Sequence, residues 1–313
     1  MKTLITGGAG FIGSTLVRLL LEKGFDVRIY DNLSTGYMKN IEDLPVDFVE
    51  GDIRNADLLK KTMKDVQLIF HLAANIGNVK SLNNPQLDSE INVIGTVNVL
   101  EAARKNNVQR IVHSSSAAIF GELMTHQIAE DHPINPNSPY GVSKLAAEKH
   151  MLCYGKIYDI QVICLRYFNV YGVRQRYDAY GNVIPIFANR LNTGKPLTVY
   201  GSGEQTRDFV NVKDVANVNF LAATSPHYNT VYNVGSGTQI SINQLIQLVQ
   251  DESGINASDI IYADPRPSEV LHCKADIRKA EKELGFKIGI EISKGLNEYL
   301  TWYKSDWQSL QSL

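Results

Sequence analysis

The sequence predicts an α/β fold, a doubly wound parallel sheet with a smaller α/β lobe attached to it. Three observations lead to this prediction. Short apolar runs alternate with longer helical runs through the first half of the chain, which is typical of a parallel sheet covered by helices on both faces. A glycine-rich turn joins the first strand to the first helix. After about residue 170, glycine, proline, asparagine and aspartate become frequent, which indicates a loop-rich second lobe.

The individual elements follow from the spacing of apolar residues. Several runs are short, nearly continuously apolar and rich in β-branched residues, as buried strands are. Longer segments carry apolar residues at helical spacing. The strands are predicted at 2–6, 26–30, 46–50, 68–73, 110–116 and 161–167, and the helices at 12–24, 57–65, 89–107, 143–158, 241–254 and 276–285.

Composition excludes several classes of protein. The chain has 313 residues, 44% hydrophobic and 20% charged, which is ordinary for a globular protein of one or two domains. Its formal net charge of −2 argues against a nucleic-acid partner, because phosphate binding needs a basic surface. No run approaches the roughly 18 apolar residues of a membrane span, so we expect no membrane partner. The N-terminus leads directly into a strand, so we also expect no signal peptide.

The cysteines and histidines point to neither disulfides nor a metal. Cys153, Cys164 and Cys273 are odd in number and widely spaced, so we expect free thiols in a reducing cytoplasm. The histidines, His71 and His113 among them, lack the spacing of metal ligands. We therefore expect structural histidines and no metal site.

The segment LITGGAGFIGSTLV places Gly7, Gly10 and Gly13 between a strand and a helix. In that context the glycines allow a tight turn, a close backbone approach to a pyrophosphate and close packing of helix on strand. The free N–H groups of the helix N-terminus also favour phosphate. The pattern predicts a dinucleotide site, and the alternative is a glycine-rich turn without a ligand.

Acidic residues after the next two strands refine the cofactor prediction. Asp31 lies 18 residues after Gly13 and is followed by Asn32 and Leu33 rather than by arginine. A carboxylate there accepts hydrogen bonds from ribose hydroxyls and repels a 2′-phosphate, which indicates NAD rather than NADP. Asp31 could instead be a strand-end turn residue. Asp52 and Ile53 follow the third strand, where they could frame the adenine or have only a structural role.

The segment SPYGVSKLAAEKH carries Tyr140 and Lys144 one helical turn apart. On a shared helix face, the ammonium should lower the tyrosine pKa from about 10 and make the phenol a usable base. The alternative is an exposed helix face with two polar residues by chance. Ser116 ends a strand 24 residues before Tyr140, so a loop can bring its hydroxyl beside the phenol, where it could share the proton or polarise a carbonyl. A serine-rich strand end is otherwise ordinary loop material.

With these motifs in place, the chain resembles the extended short-chain dehydrogenases/reductases, in the NAD-dependent sugar epimerase/dehydratase family. It is most similar to the UDP-glucose 4-epimerase branch. The motifs TGGAGFIG, DNLSTG, GDIRN, HLAA, SPYGVSK, LRYFNVYG, RDFVNVKDVA and YNVGSG occur in family order. The resemblance implies a Rossmann-type NAD domain at 1–170 plus about 208–235, and a nucleotide-sugar lobe at about 171–207 plus 236–313. It also implies a homodimer through helices around 84–106 and 140–158.

The resemblance implies specific site residues as well. The catalytic set is Ser116, Tyr140 and Lys144, with Lys144 also on the nicotinamide ribose. The implied NAD contacts are Gly7, Gly10, Phe11, Ile12, Gly13, Asp31, Asn32, Asp52, Ile53, Leu72, Ala73, Ala74, Tyr140 and Lys144. The implied contacts to a UDP-sugar are Ser116, Asn169, Asn182, Val183, Thr198, Tyr200, Arg207, Arg266 and Cys273.

Some of these substrate contacts have a physical rationale and an alternative. Arg207 and Arg266 suit a diphosphate through bidentate hydrogen bonds, although Arg207 could form a surface ion pair with Asp208 and Arg266 could be a solvated loop residue. In the family, the position of Cys273 holds a bulky tyrosine or a smaller side chain that leaves room for an N-acetyl group. A cysteine therefore permits UDP-N-acetylhexosamines, unless Cys273 is an ordinary buried thiol.

The residues after Ser116 distinguish among the family's reactions. Dehydratases of the family carry an Asp–Glu pair where this chain has Ala117 and Ala118, and its decarboxylases carry a glutamate in the same segment. Alanine transfers no proton, so inversion at C4 of a UDP-hexose through a transient 4-keto sugar is the implied reaction. The alternatives are 4-epimerisation of a UDP-N-acetylhexosamine or a UDP-uronic acid, and a non-catalytic NAD-binding protein.

Overall fold

The structure, a computed structural model, describes residues 1–121, 123–177, 181–265 and 271–311, with side chains through residue 306. Its centre is a seven-stranded sheet in which every pairing is parallel. The strands of the described residues are β1 Lys2–Thr6, β2 Asp26–Asp31, β3 Asp47–Glu50, β4 Leu68–His71, β5 Arg110–Ser116, β6 Gln127–Ile128, β7 Gln161–Tyr167, β8 Asn169–Tyr171, β9 Leu197–Tyr200, β10 Thr206–Arg207, β11 Phe209–Asn211, β12 Thr230–Val234, β13 Ile240–Ser241, β14 Ile260–Ala263 and β15 Lys274–Ala275.

Helices cover both faces of the sheet and build the lobe. They are α1 Phe11–Glu22, α2 Ala56–Thr62, α3 Asn78–Asn83, α4 Pro85–Ser89, α5 Thr96–Lys105, α6 Pro139–Tyr158, α7 Val183–Asn192, α8 Val212–Thr224, α9 Ile242–Ser253, α10 Arg278–Leu284 and α11 Ile292–Gln311. A π-helical turn, Glu90–Gly95, separates α4 from α5, and short 3₁₀ turns lie at Met38–Asn40 and Ala117–Ile119.

The strand order places a binding crevice at one edge of the sheet. The order is β12-β7-β5-β4-β1-β2-β3, so the chain builds outward from β1 in one direction and then returns to place β4 on its other side. At such a switch point the loops after the two strands diverge and leave a crevice at their carboxyl ends. The predicted doubly wound sheet is confirmed, and its crevice lies between the loops that follow β1 and β4.

The predicted strands all form, and most predicted helices shift by only a few residues. The helix predicted at 89–107 forms in two parts, the π-helical turn Glu90–Gly95 at its start and then α5. Strand β4 also ends at His71 rather than continuing to Ala73. Strand β12 and helices α7, α8 and α11 were not predicted, although β12 completes the sheet.

Side-chain alternation along each strand separates two cores. Leu4 and Ile69 point to the face covered by α2, α5 and α6, and their cluster includes Met151. Their strand neighbours Ile5 and Phe70 point to the opposite face, which α1 and α8 cover. A third cluster fills the lobe between α7, α9 and α11. The sheet is therefore buried on both faces.

Helix α6 is fixed in position at both its start and its middle. Ser138 caps it by accepting the Gly141 N–H at 3.1 Å, and Pro139 occupies the first turn, where a missing N–H costs nothing. One turn after Lys144, the Glu148 carboxylate accepts hydrogen bonds from the Arg166 guanidinium at 2.8 and 3.0 Å. The side chains of this pair are 0% and 3% exposed. Separating a buried pair leaves an uncompensated charge, so this contact holds α6 on β7.

Candidate active site

The turn between β1 and α1 presses against the segment after β4. Gly7 has a φ of +75°, and a Cβ on it would lie 2.7 Å from the Ala73 backbone nitrogen. A Cβ on Gly13 would lie 2.1 Å from the Gly7 carbonyl oxygen. Only hydrogen fits at these two positions. The close approach packs Gly7 against the backbone of Leu72 and Ala73, and packs Gly10 and Gly13 against Gly7.

The N-terminus of α1 opens onto this turn. Helix α1 begins at Phe11 and Ile12, and no described side chain caps the helix at Gly10. The first N–H groups of a helix need acceptors, and a phosphate is a suitable one. The cradle therefore fits the pyrophosphate of a dinucleotide.

Asp31 lies beside the same turn, at the end of β2. Its carboxylate accepts the Ala9 N–H at 3.0 Å and the Leu33 N–H at 2.8 Å. Burial raises the pKa of Asp31, and the two backbone hydrogen bonds oppose that rise. Each carboxylate oxygen keeps a lone pair for a further donor, so Asp31 fits the ribose hydroxyls of NAD.

Asp52 and Ile53 follow β3 close to Asn32, and sequence reasoning missed the partner of Asp52. The Asp52 carboxylate accepts hydrogen bonds from Asn32 at 2.9 Å and from the Arg54 guanidinium at 2.8 and 2.9 Å. The Arg54 contact is the main cause that lowers the pKa of Asp52 to about 2. Ile53 is buried. Arg54 therefore pairs with the carboxylate of Asp52, for which the sequence left a contact to the adenine and a structural role both open.

The loop after β5 brings Ser116 to Tyr140. The Ser116 hydroxyl oxygen accepts the Ala118 N–H at 3.2 Å, and a hydrogen bond with Ser116 lowers the pKa of the Tyr140 phenol. Lys144 lies one turn along α6, 3% exposed. Its ammonium donates to the Ser114 carbonyl oxygen. The three residues therefore converge at the carboxyl end of β5, next to the crevice.

The pKa of Tyr140 in this cluster differs from the expectation based on the sequence. Lys144 was expected to lower the Tyr140 pKa. Instead, burial raises the pKa of Tyr140, the Asp88 carboxylate raises it further, and only the hydrogen bond with Ser116 lowers it. Burial also lowers the pKa of Lys144 to about 8. In this structure the ammonium is desolvated and bound to a backbone carbonyl, so it does not outweigh the burial of its neighbour.

A buried polar network beneath the cluster was missed in the sequence. Asp88 accepts hydrogen bonds from the Ser143 hydroxyl at 2.5 Å and from the Asn75 amide at 2.9 Å. Asn92 donates to the Ser143 oxygen at 3.0 Å and to the Asn75 carbonyl at 3.0 Å. Asp88, Asn92 and Thr96 are spaced four residues apart in a helical segment, and this polar stripe could have revealed them.

His71 and His113 stack beneath Lys144 with ring centroids 5.3 Å apart. His71 lies within hydrogen-bond distance of the Thr6 and Thr96 hydroxyls, at 2.7 and 3.0 Å. Burial, and then the charge of Lys144, lower the pKa of His71 to about 3, so the ring is neutral at ordinary pH. The described residues contain no group of three or more His, Cys, Asp or Glu side chains that could hold a metal.

The lobe brings some of the predicted substrate residues together. The side-chain amide of Asn169 donates to the Asp208 carbonyl at 3.1 Å. Burial and the Asp208 charge raise the pKa of Cys273 to about 12, whereas the Arg207 charge opposes the rise, so Arg207 and Cys273 are neighbours. Asp208 is buried and accepts the Ala275 N–H at 3.0 Å; it is not the surface residue of the suggested ion pair.

The remaining substrate residues are spread over the lobe. Asn182 precedes α7, Val183 is its first residue, and Thr198 and Tyr200 lie on β9. Arg266 lies outside the described residues. The three cysteines are free thiols, with Cys164 buried and Cys153 exposed. No helix among the described residues is long and apolar enough to cross a membrane.

Comparison with known proteins identifies the family. Residues 3–235 match the model of the NAD dependent epimerase/dehydratase family. A putative UDP-glucose 4-epimerase of Methanocaldococcus jannaschii is 42% identical over 305 residues, covering 97% of this chain and 98% of that protein. The chain belongs to the NAD-dependent epimerase/dehydratase family, and it is an enzyme whose cofactor is NAD.

Solved structures show the same fold over nearly the whole chain. The UDP-glucose 4-epimerase of Thermotoga maritima with UDP-glucose has a TM-score of 0.94 at 32% identity, covering 98% of this chain and 100% of that one. The UDP-N-acetylglucosamine 4-epimerase of Methanobrevibacter ruminantium, in complex with UDP-N-acetylmuramic acid, has a TM-score of 0.92 at 34% identity. It covers 97% of this chain and 98% of that one.

The hydrogen bond between Ser116 and Tyr140 gives a testable titration. Removing it by Ser116→Ala should raise the pKa of Tyr140 further, because the phenolate loses a stabilising donor. Ultraviolet absorbance of phenolate in cofactor-free protein, with Tyr140→Phe as the subtracted reference, measures this pKa. Ser115→Ala is the control, since the Ser115 hydroxyl donates to Glu148 instead. A Tyr140 pKa that stays unchanged in Ser116→Ala would contradict the assignment.

Proposed function

We propose that this member of the NAD-dependent epimerase/dehydratase family inverts C4 of a UDP-hexose, interconverting UDP-glucose and UDP-galactose through a transient 4-keto sugar. The observation that carries the proposal is the convergence of Ser116, Tyr140 and Lys144 beside the crevice. Ala117 and Ala118 follow Ser116 directly in a 3₁₀ turn. Neither alanine transfers a proton, and the proposed chemistry needs no acid or base there.

Each catalytic residue has a distinct role in the proposal. Tyr140 takes the proton of the C4 hydroxyl. After the sugar has turned, Tyr140 returns the proton to the same oxygen. Because the Ser116 oxygen already accepts the Ala118 N–H, its own proton is free to point at the phenol or at the sugar oxygen. Lys144 places a positive charge one turn from Tyr140 and binds the nicotinamide ribose.

NAD, when bound, accepts and returns hydride and, in its oxidised form, adds a positive charge near the phenol. In the cofactor-free protein burial keeps Tyr140 protonated, so positive potential is what its ionisation requires. Ser116 and Lys144 supply part of this positive potential. We infer that Gly7, Gly10, Gly13, Phe11 and Ile12 hold the pyrophosphate and that Asp31 holds the adenosine ribose.

The lobe holds the nucleotide in this proposal. Arg207 binds the diphosphate through charge-assisted hydrogen bonds, and Tyr200 packs against uracil from β9. Asn169, Asn182, Val183, Thr198 and Arg266 complete the proposed grip. Holding the diphosphate while the sugar is free lets the 4-keto sugar turn and present its other face to the returning hydride. The free thiols support the further proposal of a reducing, cytoplasmic setting.

The proposed cycle consumes no NAD, so turnover without added nucleotide tests the proposal. Purified holoenzyme incubated with UDP-galactose in deuterated water, without added nucleotide, should form UDP-glucose with no deuterium at C4, because hydride returns internally. Tyr140→Phe should lower kcat by roughly a hundredfold to ten-thousandfold while NAD stays bound.

Tyr154→Phe is the matched control for that substitution. Tyr154 lies on the same helix, and its hydroxyl donates to Glu101 at 2.9 Å, so full activity is expected. Turnover that needs an added oxidant or reductant refutes the proposal. Absence of turnover with every UDP-sugar also refutes it.

We propose that Cys273 leaves room for an N-acetyl group, so that UDP-N-acetylhexosamines are also substrates. Its small side chain beside Arg207 supports this, as does the similarity to a UDP-N-acetylglucosamine 4-epimerase. Cys273→Tyr should lower kcat/KM for UDP-N-acetylglucosamine by at least about tenfold more than for UDP-glucose.

The matched control is Cys273→Ser, which keeps the side chain small and should accept both sugars. A panel that adds UDP-uronic acids tests the remaining alternative substrates. If the tyrosine variant turns over both sugars as the wild type does, Cys273 does not set the size limit.

We propose that the enzyme is a homodimer. Val142 and Ile157 on α6 are 54% and 63% exposed, and Ile94 in the adjoining π-helical turn is 55% exposed. Val142, Cys153 and Ile157 lie at spacings that share one helix face. The exposed apolar side chains of this face, which also carries the exposed Lys149, fit a second copy of the same surface, as expected for a two-fold dimer.

Sedimentation measures the oligomeric state directly. The wild type should sediment as a dimer, and the pair Val142→Glu and Ile157→Glu should shift it to monomer, because four like charges then meet at the interface. Ile261→Glu, which places the same charge on an exposed residue of the lobe, should leave the dimer intact. A wild type that sediments as a monomer at micromolar concentration contradicts the proposal.

A further inference from the structure

Residues 33–44, here called the cofactor loop, continue directly from Asp31 and lie on the glycine turn. The Tyr37 N–H and the Asn40 side-chain amide both donate to the Ala9 carbonyl oxygen, at 3.1 and 2.8 Å. A Cβ on Gly36 would lie 3.0 Å from the Ala9 carbonyl carbon. The cofactor loop is therefore packed against the backbone that fits the pyrophosphate.

The outer side of the cofactor loop contacts a distant part of the chain. The Arg176 guanidinium carbon lies 3.8 Å from the centroid of the Tyr37 ring. The Asp306 carboxylate on α11 accepts from Lys39 at 3.2 Å and from Arg176 at 3.5 Å. One carboxylate oxygen thus pairs with a cation from the cofactor loop and with a cation from the segment that leads into α7.

The burial of this cluster makes it stronger than a surface ion pair. The Asp306 side chain is 8% exposed and that of Arg176 is 15% exposed, whereas Lys39 is half exposed. Exposed ion pairs contribute little, but a buried carboxylate needs its cations. A guanidinium stacked on an aromatic ring adds a cation–π attraction. Moving the cofactor loop outward breaks the Lys39–Asp306 ion pair and the contact of Tyr37 with Arg176 together, and leaves the Arg176–Asp306 pair in the lobe.

The lobe side of the cluster is itself firmly held. The Tyr299 hydroxyl on α11 donates to the Gln175 carbonyl at 3.0 Å, directly before Arg176. The Tyr303 hydroxyl, one turn before Asp306, is 3.2 Å from the Asn189 side-chain oxygen on α7. Asp306 and Arg176 are therefore anchored to the lobe core rather than to a free loop.

We propose that Tyr37, Lys39, Arg176 and Asp306 form a clasp between the lobe and the cofactor loop that slows the release of NAD. The clasp residues are positioning residues, since they act through the cofactor loop and Ala9. The need for slow release rests on the proposed function, because a redox-neutral cycle works only while the cofactor stays bound. The clasp itself rests on the NAD site alone.

Release of NADH from the holoenzyme tests the clasp without any sugar. Protein loaded with NADH is mixed with excess NAD, and the loss of bound NADH fluorescence gives the release rate. Asp306→Asn and Tyr37→Leu should each release NADH roughly tenfold faster than the wild type, because the first loses the charge-assisted bond to Lys39 and the second loses the cation–π contact with Arg176. Tyr37 is partly exposed, so its substitution leaves the core intact. Tyr37→Leu therefore tests the clasp even where Asp306→Asn unfolds the protein.

Asp43→Asn is the matched control. Asp43 also lies in the cofactor loop and pairs with Arg18 at 2.8 Å, but that pair stays within the sheet domain. The Asp43→Asn variant should release NADH at the wild-type rate. The clasp is overturned if Tyr37→Leu and the folded Asp306→Asn variant both release NADH at the wild-type rate, or if Asp43→Asn accelerates release equally. Either result is independent of which sugar the enzyme uses.

Discussion

The other groups of the site compensate the positive charge of the buried Lys144 ammonium. Placing a cation where water does not reach is costly, and here the cost appears as a pKa lowered to about 8. The Ser114 carbonyl accepts one of its hydrogen bonds, and the negative charges of Asp88 and Glu148 favour the protonated form. As the pH rises through about 8, this cation is lost. The buried carboxylates of Asp88 and Glu148 are therefore part of the electrostatics of the site as well as of its architecture.

The same burial explains why Tyr140 behaves differently from the expectation based on spacing. Proximity in sequence places an ammonium one turn from a phenol, but the effect of a charge depends on the solvation of both groups. In this protein burial dominates and the Tyr140 pKa is raised. A phenol that remains protonated without its cofactor is an inactive base. Coupling its ionisation to NAD would restrict proton removal to the loaded enzyme, where the hydride can leave the same carbon.

Sequence reasoning predicted features whose signals are local and missed those that depend on distant contacts. The strands of the first half are buried on both faces, so each appears as a short apolar run, and the glycine spacing around Gly7 reflects a local turn. The π-helical turn before Thr96 has no periodicity of its own in the sequence. Strand β12 is short and flanked by loop residues, and only its pairing with β7 makes it part of the sheet. The contact of Tyr37 with Arg176 joins segments far apart in the chain, which no spacing rule encodes.

A reaction that presents both faces of one sugar to one hydride carrier limits where specificity can reside. Hydrogen bonds that fixed the hexose in a single orientation would oppose its turning, so the sugar pocket cannot be built as tightly as an ordinary binding site. Binding energy must come instead from parts of the substrate that do not move, which are the uridine and the diphosphate. In the proposed function, Arg207 binds this stationary end, and volume, set by a residue such as Cys273, is the remaining means of selecting the sugar. Under this constraint, the lobe that is proposed to bind the nucleotide is also well placed to hold the cofactor loop, since both ligands must stay bound while the sugar turns.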